Sequence, residues 1–310
     1  MGAPPLNDET ELRPLMFSIA YRMTGSVAEA EDLVQEAFFR LGRVRQNGVL
    51  VESPKAYLTA ATTRLAINHL RSARVRRESY VGTWLPEPVV ADLHESPEQM
   101  SELSDSLSMA FLLLLESLSP VERAVFLLRE VFGYPYEDIA QIVDKSEANC
   151  RQIFARARQR IDNHQARYEA SREQSEALVR SFLAAARNGD LGQLVDLLAA
   201  DAAFYGDGGG KATSTPQPLF GRDKVATLFL ELIERAKQLQ ISFEPVLVNG
   251  GPGIITHDRR GNVVSVLSFE VLDGLVQTVR GVVNPDKLTH LGAVSDLLRI
   301  DQDQDQDRPR

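Results

Sequence analysis

The sequence predicts three modules in series: two all-α modules followed by an α+β domain. Three observations carry this. Apolar residues recur at helical spacing through the first stretch of the chain and again over residues 101–162. Between those stretches lies a segment with three prolines and no helical period. Beyond residue 169, helices give way to β-branched, alternating runs joined by Gly-, Asn- and Asp-rich turns. The expected boundaries are 8–78 for the first module, 79–100 for the linker and 101–168 for the second module. The α+β domain follows over 169–300, and 301–310 is expected to be a disordered, low-complexity tail.

In the first module, Glu11–Thr24 and Ala28–Leu41 carry the helical period, broken by Gly25-Ser26. Ser53 and Pro54 form an N-cap and first helical residue, because proline lacks only an N–H that has no partner there. The helix they open is expected over Pro54–Ala73. The linker carries Trp84, the sole tryptophan, beside Leu85, Val89 and Val90. A freely solvated linker is poor in such residues, so this one is expected to dock.

In the second module, Ser119-Pro120-Val121-Glu122 is a capping box with proline at N1, opening a helix to about Val131. Short helices over Tyr136–Val143 and Ser146–Asp162, separated by Asp144-Lys145, have the spacing of a helix-turn-helix. In the second of these, Cys150, Ile153, Phe154, Ala157 and Ile161 share one apolar arc. Arg151, Gln152, Arg156 and Gln159 fall outside it and can reach base edges and phosphates. In the α+β domain, Ser171 to Gln174 reads as a capping box. Helices are expected to Asn188, over Leu191–Ala199 and over Asp223–Gln238. Strands are expected over Ile241–Val248, Gly253–His257, Val263–Leu272 and Leu275–Val283.

The composition, 44% hydrophobic and 25% charged, is that of a globular protein and excludes a mostly disordered or fibrous one. The longest apolar run, Met109–Leu115, is too short for a membrane span, and the N-terminus shows no secretory pattern. The expected location is the cytoplasm. One cysteine permits no internal disulfide and no Cys-based metal cage, and no cofactor or metal is expected. A net charge of −9 argues against a general nucleic-acid binder. The distribution says more. Residues 53–77 hold Lys55, Arg64, Arg71, Arg74, Arg76 and Arg77 with no acid, whereas 78–122 hold nine acids and no Lys or Arg. A second basic group, Arg151, Arg156, Arg158 and Arg160, follows. Two cationic patches on an otherwise repelling chain suggest two separate DNA contacts, the plainer alternative being two solvated helix faces.

Several ordered motifs resemble the extracytoplasmic-function sigma factors. Ala28 to Phe38 (AEAEDLVQEAF) is similar to the region 2 helix of that family, and Leu65-Ala66-Ile67-Asn68 to its −10 promoter segment. Ser119 to Arg123 together with Arg151 to Arg158 is similar to region 4. Trp84-Leu85-Pro86-Glu87-Pro88, Asp207-Gly208-Gly209-Gly210-Lys211 and Asn284-Pro285-Asp286-Lys287-Leu288 resemble the signature motifs of the subgroup with a fused C-terminal SnoaL/NTF2-like domain.

The resemblance implies a non-enzymatic factor that binds core RNA polymerase through its clamp coiled coil and flap. It also implies regulation in cis, with no separate anti-sigma factor and no membrane partner. Asp32, Leu33 and Gln35 are the expected polymerase contacts. Asn68, Tyr57, Arg64, Arg71, Arg74, Arg76 and Arg77 are expected at the −10 element, with the loop 46–53. Arg151, Gln152 and Arg156 are expected to read the −35 element while Arg158 and Arg160 hold phosphates. Stacking aromatics are scarce, Tyr57 and Tyr80 at most, which suggests a stringent promoter.

For the C-terminal domain, one expectation is an interaction role. Its sheet packs on region 2 and on the linker, with Trp84 and Leu85 as anchors and Asn284–Leu288 as their contact. The other is ligand binding or catalysis, with Asp207, His257 and Asp258 as acid/base candidates and Asp207 to Lys211 as an anion cradle. A helix-turn-helix regulator with a small-molecule effector domain is the alternative to the whole reading. A SnoaL-like enzyme fused to a DNA-binding module is a further one.

Overall fold

The computed structural model describes residues 6–78, 80–91, 107–162 and 172–300. The chain forms two compact units, neither of them contiguous. One takes residues 1–78 and 111–165, the other 79–110 and 166–310. The two helical modules thus share one unit, and the segment expected to be a linker belongs with the C-terminal domain.

In the first unit, α1 (Leu6–Thr24), α2 (Val27–Gln46) and α3 (Pro54–Glu78) form a bundle. Ser26 caps α2 through the Glu29 N–H, and Ser53 caps α3 through the Ala56 N–H. The core takes one stripe from each helix: Met16, Ile19 and Met23; Ala30, Val34 and Ala37; Leu58, Ala66 and Leu70. The second set of helices is α4 (Met109–Leu115), α5 (Pro120–Phe126), α6 (Tyr136–Val143) and α7 (Glu147–Asp162). Both hydrogen bonds of the Ser119–Glu122 capping box are made. The helix it opens changes to a π turn over Leu127–Val131.

In the second unit, α8 (Arg172–Asn188), α9 (Leu191–Leu197) and α10 (Arg222–Gln238) accompany a seven-stranded sheet. Its strands are β1 (Val90–Ala91), β2 (Leu198–Asp207), β3 (Leu219–Phe220), β4 (Ser242–Val248), β5 (Gly251–His257), β6 (Val263–Leu272) and β7 (Leu275–Val282). The order is β1-β4-β5-β6-β7-β2-β3, with β2 and β7 parallel and every other pair antiparallel. Phe182 of α8 meets Phe229 of α10 and Phe269 of β6 edge to face, at centroid distances of 4.8 and 5.7 Å. Helices laid on a mainly antiparallel sheet are the α+β arrangement expected for residues 169–300.

Three strands differ from expectation. The sequence reading carries a helix to Ala199 and assigns nothing to the following residues, where β2 begins at Leu198. Its alanine-rich run has weak β-propensity, and parallel pairing with β7 overrides it. The two-residue strands β1 and β3 are too short to leave a period.

Candidate functional site

The helix-turn-helix is built on α6 and α7. Asp144 closes α6 in the left-handed conformation, φ 54°, and the Ser146 hydroxyl caps α7 through the Asn149 N–H. Cys150, Ile153, Ala157 and Ile161 are buried, so Arg151, Gln152, Arg156, Arg158 and Gln159 share the exposed side. Arg151 is steered by Glu147 at 2.8 Å and by the Tyr136 ring at 5.0 Å. Arg160 lies elsewhere. Its guanidinium sits 3.4 Å from the Glu122 carboxylate and 3.3 Å from the Ser117 carbonyl, against the capped start of α5.

On the bundle, Asp32 and Gln35 are exposed on α2, but Leu33 is 8% exposed and packs in the core. This corrects its expected role as a polymerase contact. The exposed apolar side chain at i+4 from Gln35 is Phe39, at 60% exposure, which the sequence reading passed over. On α3, Asn68 and Arg71 are exposed and Tyr57 is half-buried. The side chains of Arg74, Arg76 and Arg77 lie outside the described residues. In the loop before α3, Leu50 is 86% exposed and Val49 56%.

Within this unit the helix-turn-helix is packed on the bundle through a polar seam. Arg64 donates to the Ile142 and Gln141 carbonyls at 2.9 and 2.7 Å, so it caps the C-terminal end of α6, where helix carbonyls lack partners. It was expected on the promoter backbone; in this arrangement two of its donors hold the end of α6. Thr59 and Tyr134 share a hydrogen bond of 2.9 Å. Arg123, 3% exposed, donates to the Met23 carbonyl at the end of α1 and pairs with Glu116 at 2.7 Å.

In the second unit, residues 80–91 form a strap on the C-terminal domain, and the three motifs meet there. The Asp207 carboxylate, at the end of β2, is fully buried. It accepts from Lys287 Nζ at 2.7 Å, from the Leu85 N–H at 2.8 Å and from the Tyr80 hydroxyl. Lys287 also donates to the Leu85 carbonyl and lies 4.5 Å from the centre of the Trp84 ring and 4.8 Å from that of Tyr80. Burial and the Asp207 hydrogen bond push the Tyr80 hydroxyl well above its ordinary pKa, so it stays a donor. Tyr80 was expected, if anything, as a stacking aromatic; here its ring and hydroxyl are engaged.

Asn284 donates to Tyr80 at 2.8 Å, and Leu85, Pro86, Glu87 and Pro88 are buried. Gly209 approaches so closely that a Cβ on it would fall 2.2 Å from Asn284 Nδ2, which explains the glycine. Beyond the node, the strap pairs with the sheet edge: Val90 opposite Val248, Ala91 opposite Leu247. Asn249, at φ 53°, brackets Val89 with its backbone N–H at 2.8 Å and its side-chain oxygen at 3.1 Å. His290 bonds the Pro88 carbonyl at 2.8 Å.

The acid/base candidates do not come together. Asp207 is spent on Lys287 and the strap. His257 faces Glu244 at 3.8 Å. Asp258 closes the β5–β6 turn: desolvation raises its pKa, but hydrogen bonds from Asn262, Ser295 and Arg260 outweigh that and hold it at about 2. Lys211, beside the glycine run, pairs with Asp286 on the surface. Among the described residues no group of His, Cys, Asp and Glu has the arrangement of a metal site.

An Arg- and Gln-faced recognition helix, packed with a second helical module, is the equipment of a promoter-reading factor. Residues 10–76 match the family model of sigma-70 region 2 and residues 108–161 that of sigma-70 region 4, which defines the class: a sigma factor of RNA polymerase. The chain is 36% identical to the ECF RNA polymerase sigma factor SigJ of Mycobacterium tuberculosis, over 90% of its own length and 91% of that protein's. It is 29% identical to the probable ECF sigma factor SigI of the same organism, over 91% and 93%. The crystal structure of SigJ superposes with a TM-score of 0.72 at 32% identity, covering 92% of this chain and 98% of that one.

The chain belongs to the extracytoplasmic-function sigma factors. It binds core RNA polymerase and promoter DNA and directs transcription initiation. No helix among the described residues is long and apolar enough to cross a membrane.

Proposed function

We propose that this sigma factor is regulated in cis, through the hold of its C-terminal domain on the strap that joins its two promoter-reading modules. The observation that carries this is the meeting of three separated motifs at one buried ion pair, Asp207–Lys287, with the strap backbone bonded to both partners. A −10 and a −35 element lie 25 positions apart, about 85 Å at roughly 3.4 Å per base pair. The longest helix of the first unit, 25 residues, spans about 37 Å at roughly 1.5 Å per residue. The helix-turn-helix must therefore leave the bundle for both elements to be read together. A strap fixed to the C-terminal domain shortens the chain available for that separation.

In the opened state α7 enters the major groove, where Arg151, Gln152 and Arg156 read base edges and Arg158 holds a phosphate. Asn68 and the 46–53 loop capture unstacked bases at the −10 element, Arg71 follows the backbone, and Arg64 joins it once α6 is released. Asp32, Gln35 and Phe39 meet the polymerase clamp coiled coil, and the helix-turn-helix module meets the flap. The factor works in the cytoplasm and catalyses no reaction of its own.

Gel shift and run-off transcription with the full-length protein test this. The expected result is little DNA affinity alone and a specific transcript with core polymerase, reduced by Asn68→Ala and by Arg151→Ala. Tight, specific operator binding without polymerase, as for an ordinary helix-turn-helix regulator, overturns it.

A further inference from the structure

The C-terminal domain encloses a cavity of about 470 Å³, within the range of about 300–1,000 Å³ typical of small-molecule sites. Its inner wall is hydrocarbon: Phe182 from α8, Phe204 from β2, Phe229 from α10 and Phe269 from β6. The polar groups of its buried wall are neutral. Thr256 and Ser265, on neighbouring strands, share a hydrogen bond of 2.7 Å in the wall. Thr215 Oγ1, in the lining, is buried without a hydrogen-bond partner among the described residues. A buried hydroxyl left this way costs free energy that a ligand oxygen recovers. The ionisable residues of the lining, Glu231 and Arg235, are both exposed. Burying a charged ligand here would leave it without a counter-ion, and Asp207, His257 and Asp258 are not among the lining residues.

We propose that this cavity binds a small, uncharged, largely hydrocarbon molecule bearing a single hydroxyl or carbonyl oxygen, which takes the free Thr215 hydroxyl as its partner. Binding needs no chemistry at the site and stands apart from the strap: the lining includes neither Asp207 nor Lys287.

The test uses the full-length protein and the neutral fluorescent probe N-phenyl-1-naphthylamine, displaced by 1-octanol or by octanoate at neutral pH. The expected result is saturable probe binding, displaced by octanol at a concentration at least tenfold below that needed with octanoate. Two variants that fill the cavity from opposite sides, Ser265→Phe on β6 and Ala236→Phe on α10, each weaken probe binding at least tenfold. Emission of the sole tryptophan, Trp84, verifies that each variant is folded, and the second serves if the first is not. Octanoate competing as well as octanol, or wild-type probe affinity in a folded filling variant, overturns the proposal. Promoter-directed transcription is read separately, so failure here leaves the strap mechanism standing.

Discussion

The two units are held by different kinds of polar contact. In the first, the helix-turn-helix is tied to the bundle by arginines on backbone carbonyls, Arg64 on α6 and Arg123 on the end of α1. In the second, the strap is tied by a carboxylate and an ammonium that face each other away from water. A helix-end carbonyl released from an exposed arginine finds water at little cost. A buried carboxylate released from its lysine does not. The Arg64 side of the seam is thus suited to opening, with buried Arg123 the firmer tie, and the strap node to holding one register until something displaces it as a whole.

The largest expected effect breaks the node. Lys287→Met leaves Asp207 buried and unpaired, and should cost about 3–5 kcal/mol of unfolding free energy in the second unit. Chemical denaturation followed by Trp84 emission reads it, and adding Asp207→Asn to the same chain should restore much of the loss. Arg123→Ala removes the one seam arginine that is itself buried and should cost about 2 kcal/mol in the first unit, read by far-UV circular dichroism. Arg64→Ala should cost only about 1 kcal/mol, because water replaces it on the α6 carbonyls. If Arg64→Ala matched Lys287→Met, the contrast between seam and node would be lost.

Arg151→Ala should change stability by no more than about 0.5 kcal/mol, its partners being exposed. It should still lower promoter discrimination by about 1–3 kcal/mol in run-off competition between matched and mismatched −35 elements. The smallest effect is at acid pH. The Asp258 carboxyl, held at about 2 in the folded chain against about 3.9 unfolded, adds stability that is present above pH 4 and fades as pH falls towards 2. Asp258→Asn should flatten that limb of the pH–stability curve.

Local chemistry made much of this legible. Ser119 and Glu122 announce their helix because a capping box works within four residues, and Asp144-Lys145 marks the turn between α6 and α7 by spacing alone. The arc of α7 separates Cys150 and Ile153 from Arg151 and Gln152 by a period of 3.6. What stayed hidden depends on contacts distant in sequence. Leu33 reads like its neighbours on α2 until the bundle buries it. Arg64 belongs to a basic stretch, and nothing nearby in sequence reveals the helix end it caps. β2 takes its conformation from β7, and Tyr80 its partners from residues more than a hundred positions away. The three motifs announce themselves as unusual strings, but their convergence on Asp207 is a property of the folded sheet.

Run-off transcription from one promoter with core polymerase and full-length Tyr80→Phe bears most directly on the strap. That change deletes the hydroxyl joining Asp207 and Asn284 while leaving the ion pair and both DNA-reading faces untouched. A loosened strap should yield several-fold more transcript than the wild-type chain at equal protein. Equal output from the two proteins, with the strap amides of Val89 and Val90 shown by hydrogen exchange to open more readily in the variant, would contradict control of initiation by the strap.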